Sequence, residues 1–406
     1  MGFWSRLLGR EQKASSLDLL RSITTGTRSK SGREVNIDTA LQTSAVLACV
    51  RCLADGVAQV PLKIFRADSS TGSRRPAPDH PLYAVLHSKP NDYQTSFEFR
   101  ETLMMHATLA GDFYAFINRV NGQVVELVPM DPSKVKVVWD ADAQAKRFEF
   151  RAPSGALETY AAGDIWHVKG PSWDSIKGLG AVQLAKEAIG LSIATEESHS
   201  RMHKNGARPG GAISVSGRLT DEQHSKLQNW VEENHAGAEN AYSTMILDRD
   251  AKFTPYTVSG VDSQHLETRR FQIEEVCRAF RVMPIMAGYS DKASTYASAE
   301  QMFLAHVVYT LSPWYERLEQ SIAAQLLSEQ DLAAGYYPKF IANGLLRGAA
   351  ADRAEFYSKA LGSGGSPAWL TPNEIRELEE LNPIEGGDKL PVATNPAPTT
   401  PANAGA

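Results

Sequence analysis

Residues 282–327 read VMPIMAGYSDKASTYASAEQMFLAHVVYTLSPWYERLEQSIAAQLL, a small-residue polar loop opening into a long apolar helix. Gly288, Ser290, Asp291, Lys292, Ser294, Thr295 and Ser298 bond their own backbone and offer little to bury, which predicts a water-facing, mobile loop over Ala287 to Ser298. After it Phe303, Val307, Leu311, Trp314, Leu318, Ile322 and Leu326 recur at steps of three and four, giving one continuous apolar helix face. Pro313 falls inside that run. Lacking an amide hydrogen and crowding the preceding turn, it predicts a kink. Upstream, Leu266, Ile273, Val276, Cys277 and Phe280 form a second stripe, with Glu267, Arg269, Arg270, Glu274, Glu275, Arg278 and Arg281 around it. Two helices with a flexible tip make a gate or a plain hairpin, and the residues alone favour the hairpin.

The composition is that of an ordinary globular protein, 42% hydrophobic and 22% charged, and 406 residues suffice for two or three domains. No apolar run is long enough to span a bilayer, and MGFWSRLLGREQKA lacks the core and cleavage site of a secretory signal, so a cytoplasmic product is expected. The net charge of −5 opposes a protein that grips nucleic acid over its whole surface, yet permits a surface that a duplex slides past. Three cysteines, Cys49, Cys52 and Cys277, cannot build a disulfide framework and fit a reducing compartment.

Before Asn36 the chain is polar and patchily basic. A helix is expected from Thr43, with Val46, Val50, Leu53 and Val57 on one face, ended by Pro61 before the strand PLKIFRA. Thr95 or Ser96 caps a helix through Leu109. DFYAFINRV and QVVELVPM flank Asn121-Gly122, the strongest hairpin signal in the chain, and VKVVWD, RFEFRAP and DIWHVKG read as further strands. A helix from Ala181 to about Lys204 leads to a β-α-β-β packet, in which Thr220 and Gln223 form a capping box, and a second helix returns from it. YYPKFI reads as a strand, Arg347 to Leu361 as a helix, and Leu370 to Leu381 as a helix capped by Thr371 with Pro372 and Glu374. From Gly386 a disordered tail is expected.

Catalytic motifs are missing or weak. Cys49-Val-Arg-Cys52 has redox spacing but lies in an amphipathic helix, where buried thiols are the better reading. Gly178-Leu-Gly180 resembles a dinucleotide loop only in part, since Gln183 stands where the third glycine belongs; a helix-start turn fits better. No phosphate-binding GxxxxGK[ST], GxSxG or HExxH sequence occurs, and His199 with His203, or His80 with His87, lack evident metal-binding partners. No cofactor, metal or catalytic residue is assigned.

Nine segments, in order, carry a resemblance: AVLACVRCLADGVAQVPLKIF from Ala45, HPLYAVLHSKPNDYQTSFEF from His80, LAGDFYAFINR with LVPMDPSKV, DIWHVKG, GLGAVQLAKEAI, GARPGG, and FRVMPIMAGYSDKASTYASAEQ with LSPWYERLE. Together they resemble the portal proteins of tailed double-stranded DNA phages, in the short branch that also serves gene transfer agents. Asp112 stands where that family often has Asn, and Met283-Pro284 where it often has Pro-Pro.

The resemblance implies an α+β subunit of a ring, usually a dodecamer, around a DNA channel. It divides the chain into a flexible segment 1–42, a wing 43–179, a stem helix 180–206, a clip 207–260, a second stem helix 261–282 and a tunnel loop 283–298. A kinked wing helix 299–327, a crown 328–385 and a tail 386–406 follow. Lys292, Ser290, Ser294 and Thr295 in the loop, then Arg269 and Arg270 on the stem, are implied to lie near DNA; the bland alternative pairs the two arginines with acidic residues of their own or the next subunit. Arg208, Arg218, Trp230 and Arg249 are implied to dock the large terminase during filling and the head-to-tail adaptor afterwards, unless Trp230 is buried in the clip. A homo-oligomer, double-stranded DNA and the major capsid protein complete the implied partners, with no membrane. The location implied is a capsid vertex of a phage or gene transfer agent particle, after synthesis in a bacterial cytoplasm. A nucleotide-dependent cytoplasmic enzyme and a non-conducting structural adaptor are the rival readings.

Overall fold

A computed structural model describes residues 27–68, 73–141, 144–152, 154–204, 211–214, 219–235, 252–255, 261–289, 296–342, 350–363, 367–379 and 381–391, which fall in two units, 1–340 and 341–406. Residues 27–42, assigned from sequence to a flexible segment, are ordered. β1 (Thr27–Arg28) and β2 (Glu34–Val35) pair antiparallel, and α1 (Ile37–Leu41) starts at Asn36, whose Oδ1 accepts from Thr39 N at 2.8 Å. The cause is tertiary: Lys30 N donates to Glu187 Oε2 at 2.8 Å, and Arg33 pairs with Glu197. No local signal reports partners that distant.

α2 (Ser44–Ala58) buries Val46, Cys49, Val50, Leu53 and Val57, the face its spacing predicts. β3 (Leu62–Ala67), β4 (Arg74–Pro76), α3 (Pro81–His87) and α4 (Ser96–Leu109) follow. Thr95 caps α4 in a reciprocal box: Thr95 N donates to Glu98 Oε2 at 2.7 Å, and Glu98 N donates to Thr95 Oγ1 at 3.3 Å. From α4 the buried Arg100 donates Nη2 to Ala58 O at 2.7 Å and Nη1 to Leu86 O at 3.3 Å. One guanidinium thus satisfies carbonyls that α2 and α3 leave open at their ends. Burial pulls its pKa down to about 10.

The hairpin of β5 (Asp112–Val120) and β6 (Gln123–Met130) turns at Asn121 and Gly122, both at positive φ (52° and 78°), as a tight hairpin turn between twisted strands requires. β7 (Val135–Asp140), β8 (Ala145–Arg151) and β9 (Leu157–Ala161) form a second antiparallel sheet, and β10 (Ile165–Lys169) returns to pair with β5. β9 is invisible in the sequence pattern because its side chains are almost all exposed, which leaves no apolar alternation to read. Tyr114, Met130, Val135, Val137, Phe148 and Ile165 close the core where the two sheets meet.

The helix expected from Ala181 is two, α5 (Ala181–Leu184) and α6 (Lys186–Lys204), because Ala185 leaves helical geometry at ψ 11°. β11 (Gly211–Ser214), α7 (Asp221–His235) and β12 (Lys252–Pro255) follow, with β11 and β12 antiparallel and Thr220 and Gln223 capping α7 as predicted. α8 (Val261–Phe280), α9 (Tyr296–His306), a π-helical turn at Val307–Leu311, α10 (Ser312–Gln325), α11 (Glu329–Ala333) and β13 (Tyr336–Phe340) complete the first unit. The wide π turn answers the proline. It rewinds the helix so that Pro313 lies in the first turn of α10, where a missing N–H has no helical partner to lose. β13 then pairs with β3, Phe340 opposite Leu62, in the sheet β13-β3-β4.

The second unit holds α12 (Ala350–Ala360) and α13 (Pro372–Leu378), the latter capped by Thr371 and Glu374. The first residues of the segment read as a tail are held in place: Asn373 Nδ2 donates to Ile384 O at 3.0 Å and Asp388 Oδ1 at 2.9 Å, and Asn373 N donates to Gly387 O at 3.0 Å.

Candidate functional site

α6 and α8 lie side by side and antiparallel: Glu196 meets Arg269, while Leu184 and Phe280 line one pocket at the other end. Ile189 on α6 and Gln272, Val276 and Phe280 on α8 are buried, while Glu196 on α6 and Glu267, Thr268, Arg269 and Arg270 on α8 are exposed. Arg269 and Arg270 are both exposed on α8. Arg269 Nη2 stands 4.0 Å from Glu196 Oε1, and Glu197 pairs with Arg201 at 3.6 Å and with Arg33. Part of the positive charge of this helix pair is therefore answered within the chain.

The loop after α8 begins in a fixed way. Arg281, at φ 56°, ends the helix, and Thr310 in the π turn donates its hydroxyl to Arg281 O at 2.9 Å. Pro284 opens a single 3₁₀ turn to Ala287, closed by Gly288 at φ 79°. Ala287, drawn from sequence as the first loop residue, belongs to this turn, and Tyr296 to Ser298, drawn as its last, belong to α9. Ser290, Lys292, Ser294 and Thr295 lie outside the described residues, as do Arg208, Arg218 and Arg249. Trp230 lies on α7 and is 37% exposed.

Sequence reasoning missed the group that positions these helices. Asp112 Oδ1 accepts from Gly178 N at 2.8 Å and is 2.8 Å from His167 Nε2, with Asp112 on β5 and His167 on β10 both buried. Burial lowers the His167 pKa, against the pull of Asp112, so the neutral ring donates Nε2–H to the carboxylate. Around it four glycines bring backbone against backbone. A Cβ on Gly178 would stand 1.8 Å from Gly111 O, and one on Gly180 would stand 2.7 Å from Leu109 O. The loop 171–180 is thus docked on Gly111 before α5 starts. The spare Gly-Asp ahead of a strand was the one available signal, and it reveals nothing without the loop that it receives. The same packing removes the dinucleotide reading, because the glycines face protein backbone and leave no room for a pyrophosphate.

An apolar pocket of about 160 Å³ lies between Leu53, Thr108, Leu184, Phe280 and Trp314. It holds no nucleophile beside a base. Cys49 and Cys277 are buried free thiols with Sγ atoms 3.7 Å apart. Among the described residues no three His, Cys, Asp or Glu side chains converge as a metal site, and no helix is long and apolar enough to cross a membrane.

The arrangement defines a protein of mixed helix and sheet in which an antiparallel helix pair flanks a small packet of β11, α7 and β12 and a long helix, α9 to α10, follows. The chain belongs to the phage portal protein family, whose model matches residues 44–380. It is 29% identical over 357 residues to the portal protein of Enterobacteria phage HK97, covering 87% of this chain and 82% of that protein. Among solved structures it is similar to a subunit in the virion of a native gene transfer agent particle, with a TM-score of 0.58, 24% identity, and 91% of this chain and 94% of that one covered. It is likewise similar to a chain in the neck of a native gene transfer agent particle computed with C12 symmetry, with a TM-score of 0.56, 23% identity, and 93% and 100% covered.

Proposed function

We propose that copies of this chain form the portal ring at one capsid vertex, the channel through which double-stranded DNA enters the particle and later leaves it. The observation that carries the reading is family membership across residues 44–380, a span that includes both long helices, the packet between them and the loop after them. Twelve copies are proposed by analogy with the C12 neck.

The role is mechanical, with no bond made or broken by this chain. A separate terminase motor drives the duplex, and the channel wall keeps it centred. Tight phosphate contacts would act as brakes, since each displaces counterions and must be undone for movement. A subunit of net charge −5, with Arg269 already facing Glu196, suits a wall that guides without gripping. Lys292, Ser290, Ser294 and Thr295 are proposed as the loop nearest DNA. Arg208, Arg218, Trp230 and Arg249 are proposed as the face offered to terminase and then to the adaptor, with the major capsid protein around the wing. Synthesis in a bacterial cytoplasm precedes incorporation into the particle. Electron microscopy of the purified chain tests the reading: rings with an axial hole are expected, and a monomer under every condition overturns it.

A further inference from the structure

α2 and α8 pack against each other, and their contact brings together two of the chain's three cysteines. Cys49 on α2 and Cys277 on α8 are 228 residues apart in sequence, are both 0% exposed, and stand with their Sγ atoms 3.7 Å apart. Cys52, one turn further along α2, is engaged elsewhere, its Sγ 3.5 Å from His306 Nε2. The fold thus selects one pair of sulfurs and gives the third a different neighbour.

The two paired sulfurs are not equivalent. Cys49 donates its S–H toward Cys277 Sγ, which lowers the Cys277 pKa and raises that of Cys49. Cys277 therefore reaches the thiolate form first, and a thiolate is the form that attacks an oxidant. A disulfide bond is about 2.05 Å long, so from 3.7 Å the sulfurs must approach by about 1.6 Å, a distance that a change of side-chain rotamer covers.

We propose that Cys49 and Cys277 are an oxidation site, a thiol pair that a peroxide closes into one intramolecular disulfide joining α8 to α2. The Cys277 thiolate attacks one oxygen of hydrogen peroxide and the O–O bond breaks; the departing hydroxide takes up a proton as water and leaves a sulfenic acid on Cys277. The Cys49 sulfur then attacks the Cys277 sulfur, and the hydroxyl leaves with the Cys49 proton as a second water. Two thiols lose two electrons and two protons, and the peroxide gains both. Peroxide is little larger than water and enters when the packing opens locally. The bond spans 228 positions of the chain, so it stabilises by restricting the unfolded state, and it fixes to α2 the helix that leads back from β12 toward the turn at Pro284. A reducing cytoplasm keeps the pair open during synthesis, and an oxidising medium closes it afterwards. The chemistry does not depend on the ring reading.

Peptide mapping of the full chain tests the site. Arg51 separates Cys49 from Cys52, so the tryptic peptides 34–51, 52–63 and 271–278 carry one cysteine each. After the folded chain is treated with hydrogen peroxide, its mass should fall by two hydrogens, and peptide 34–51 should be joined to 271–278 while 52–63 still takes an alkylating label. Tm should rise by about 3 °C or more and return with dithiothreitol. Cys49→Ser and Cys277→Ser should each abolish the linked peptide and the rise, and Cys52→Ser should keep both. Thiols that stay free in the folded chain, oxygen added to sulfur without a linked peptide, a link through Cys52, or a link that leaves Tm unmoved overturns the proposal and leaves the ring reading standing. A chain that cross-links as expected yet never forms rings supports the site and overturns the ring reading alone. Should a buried serine unfold the chain, the map and melts of the parent decide.

Discussion

Arg269 on α8 points its Nη2 at Glu196 Oε1 on α6, 4.0 Å away and with both side chains more than half exposed. The contact joins the two long helices within one chain, so a residue nominated for DNA has a partner before any DNA arrives. Exposed pairs at this distance contribute about 0–1 kcal/mol. Arg269→Ala should therefore shift the denaturant midpoint by less than about 0.5 kcal/mol in stability. A larger loss would mean that the arginine holds the helix pair together.

The loop has the opposite expected profile. Lys292→Glu combined with Ser294→Glu should leave assembly intact while DNA packaging or retention in particles falls, because a ring of added carboxylates repels the phosphate backbone. Particle counts with DNA content measure both at once. Full particles at the parent yield would remove the loop from the mechanism.

Arg100 is a structural cation with two helix ends to satisfy. Arg100→Ala should cost about 1–3 kcal/mol, since Ala58 O would be left buried without its donor while Leu86 O keeps only the Ser96 hydroxyl. Arg100→Lys should recover only part of this, as one ammonium lacks the planar fork that reaches both carbonyls. Urea melts of the three proteins give the comparison.

Two glycines should separate close approach from backbone conformation. Gly178→Ala puts a methyl group 1.8 Å from Gly111 O and should cost more than about 3 kcal/mol or prevent folding. Gly122→Ala meets no atom within 4 Å and suffers only its φ of 78°, so about 1 kcal/mol is expected. Equal losses would contradict the docking of loop 171–180 on Gly111.

Acid should destabilise the fold before the carboxylates titrate. Burial lowers the pKa values of His106, His167 and His306, so below about pH 6.5 the unfolded chain takes up protons that the folded chain refuses. Stability is then lost as pH falls from the unfolded value toward the depressed folded ones, by up to about 1.4 kcal/mol per pH unit for each group. Thermal melts at pH 7.5 and 5.5 measure the slope. A Tm unchanged between them would sink the assignment of neutral buried imidazoles.

Periodicity by itself determined the helices of α2, α4, α8 and α10, the Asn121-Gly122 hairpin, and the caps at Thr95, Thr220 and Thr371, because each depends on residues within one or two turns. The ordered run of nine segments carried the family, and with it the reading of function. Only the tertiary structure placed β13 beside β3, ordered residues 27–42 against α6, and set Gly178 on Gly111 under Asp112, for these join positions from 66 to 278 residues apart. It alone also showed that Met302, Phe303 and Leu304 of α9 are exposed while His306 is buried, since a pattern of apolar residues records what could be covered and not which of them the fold covers.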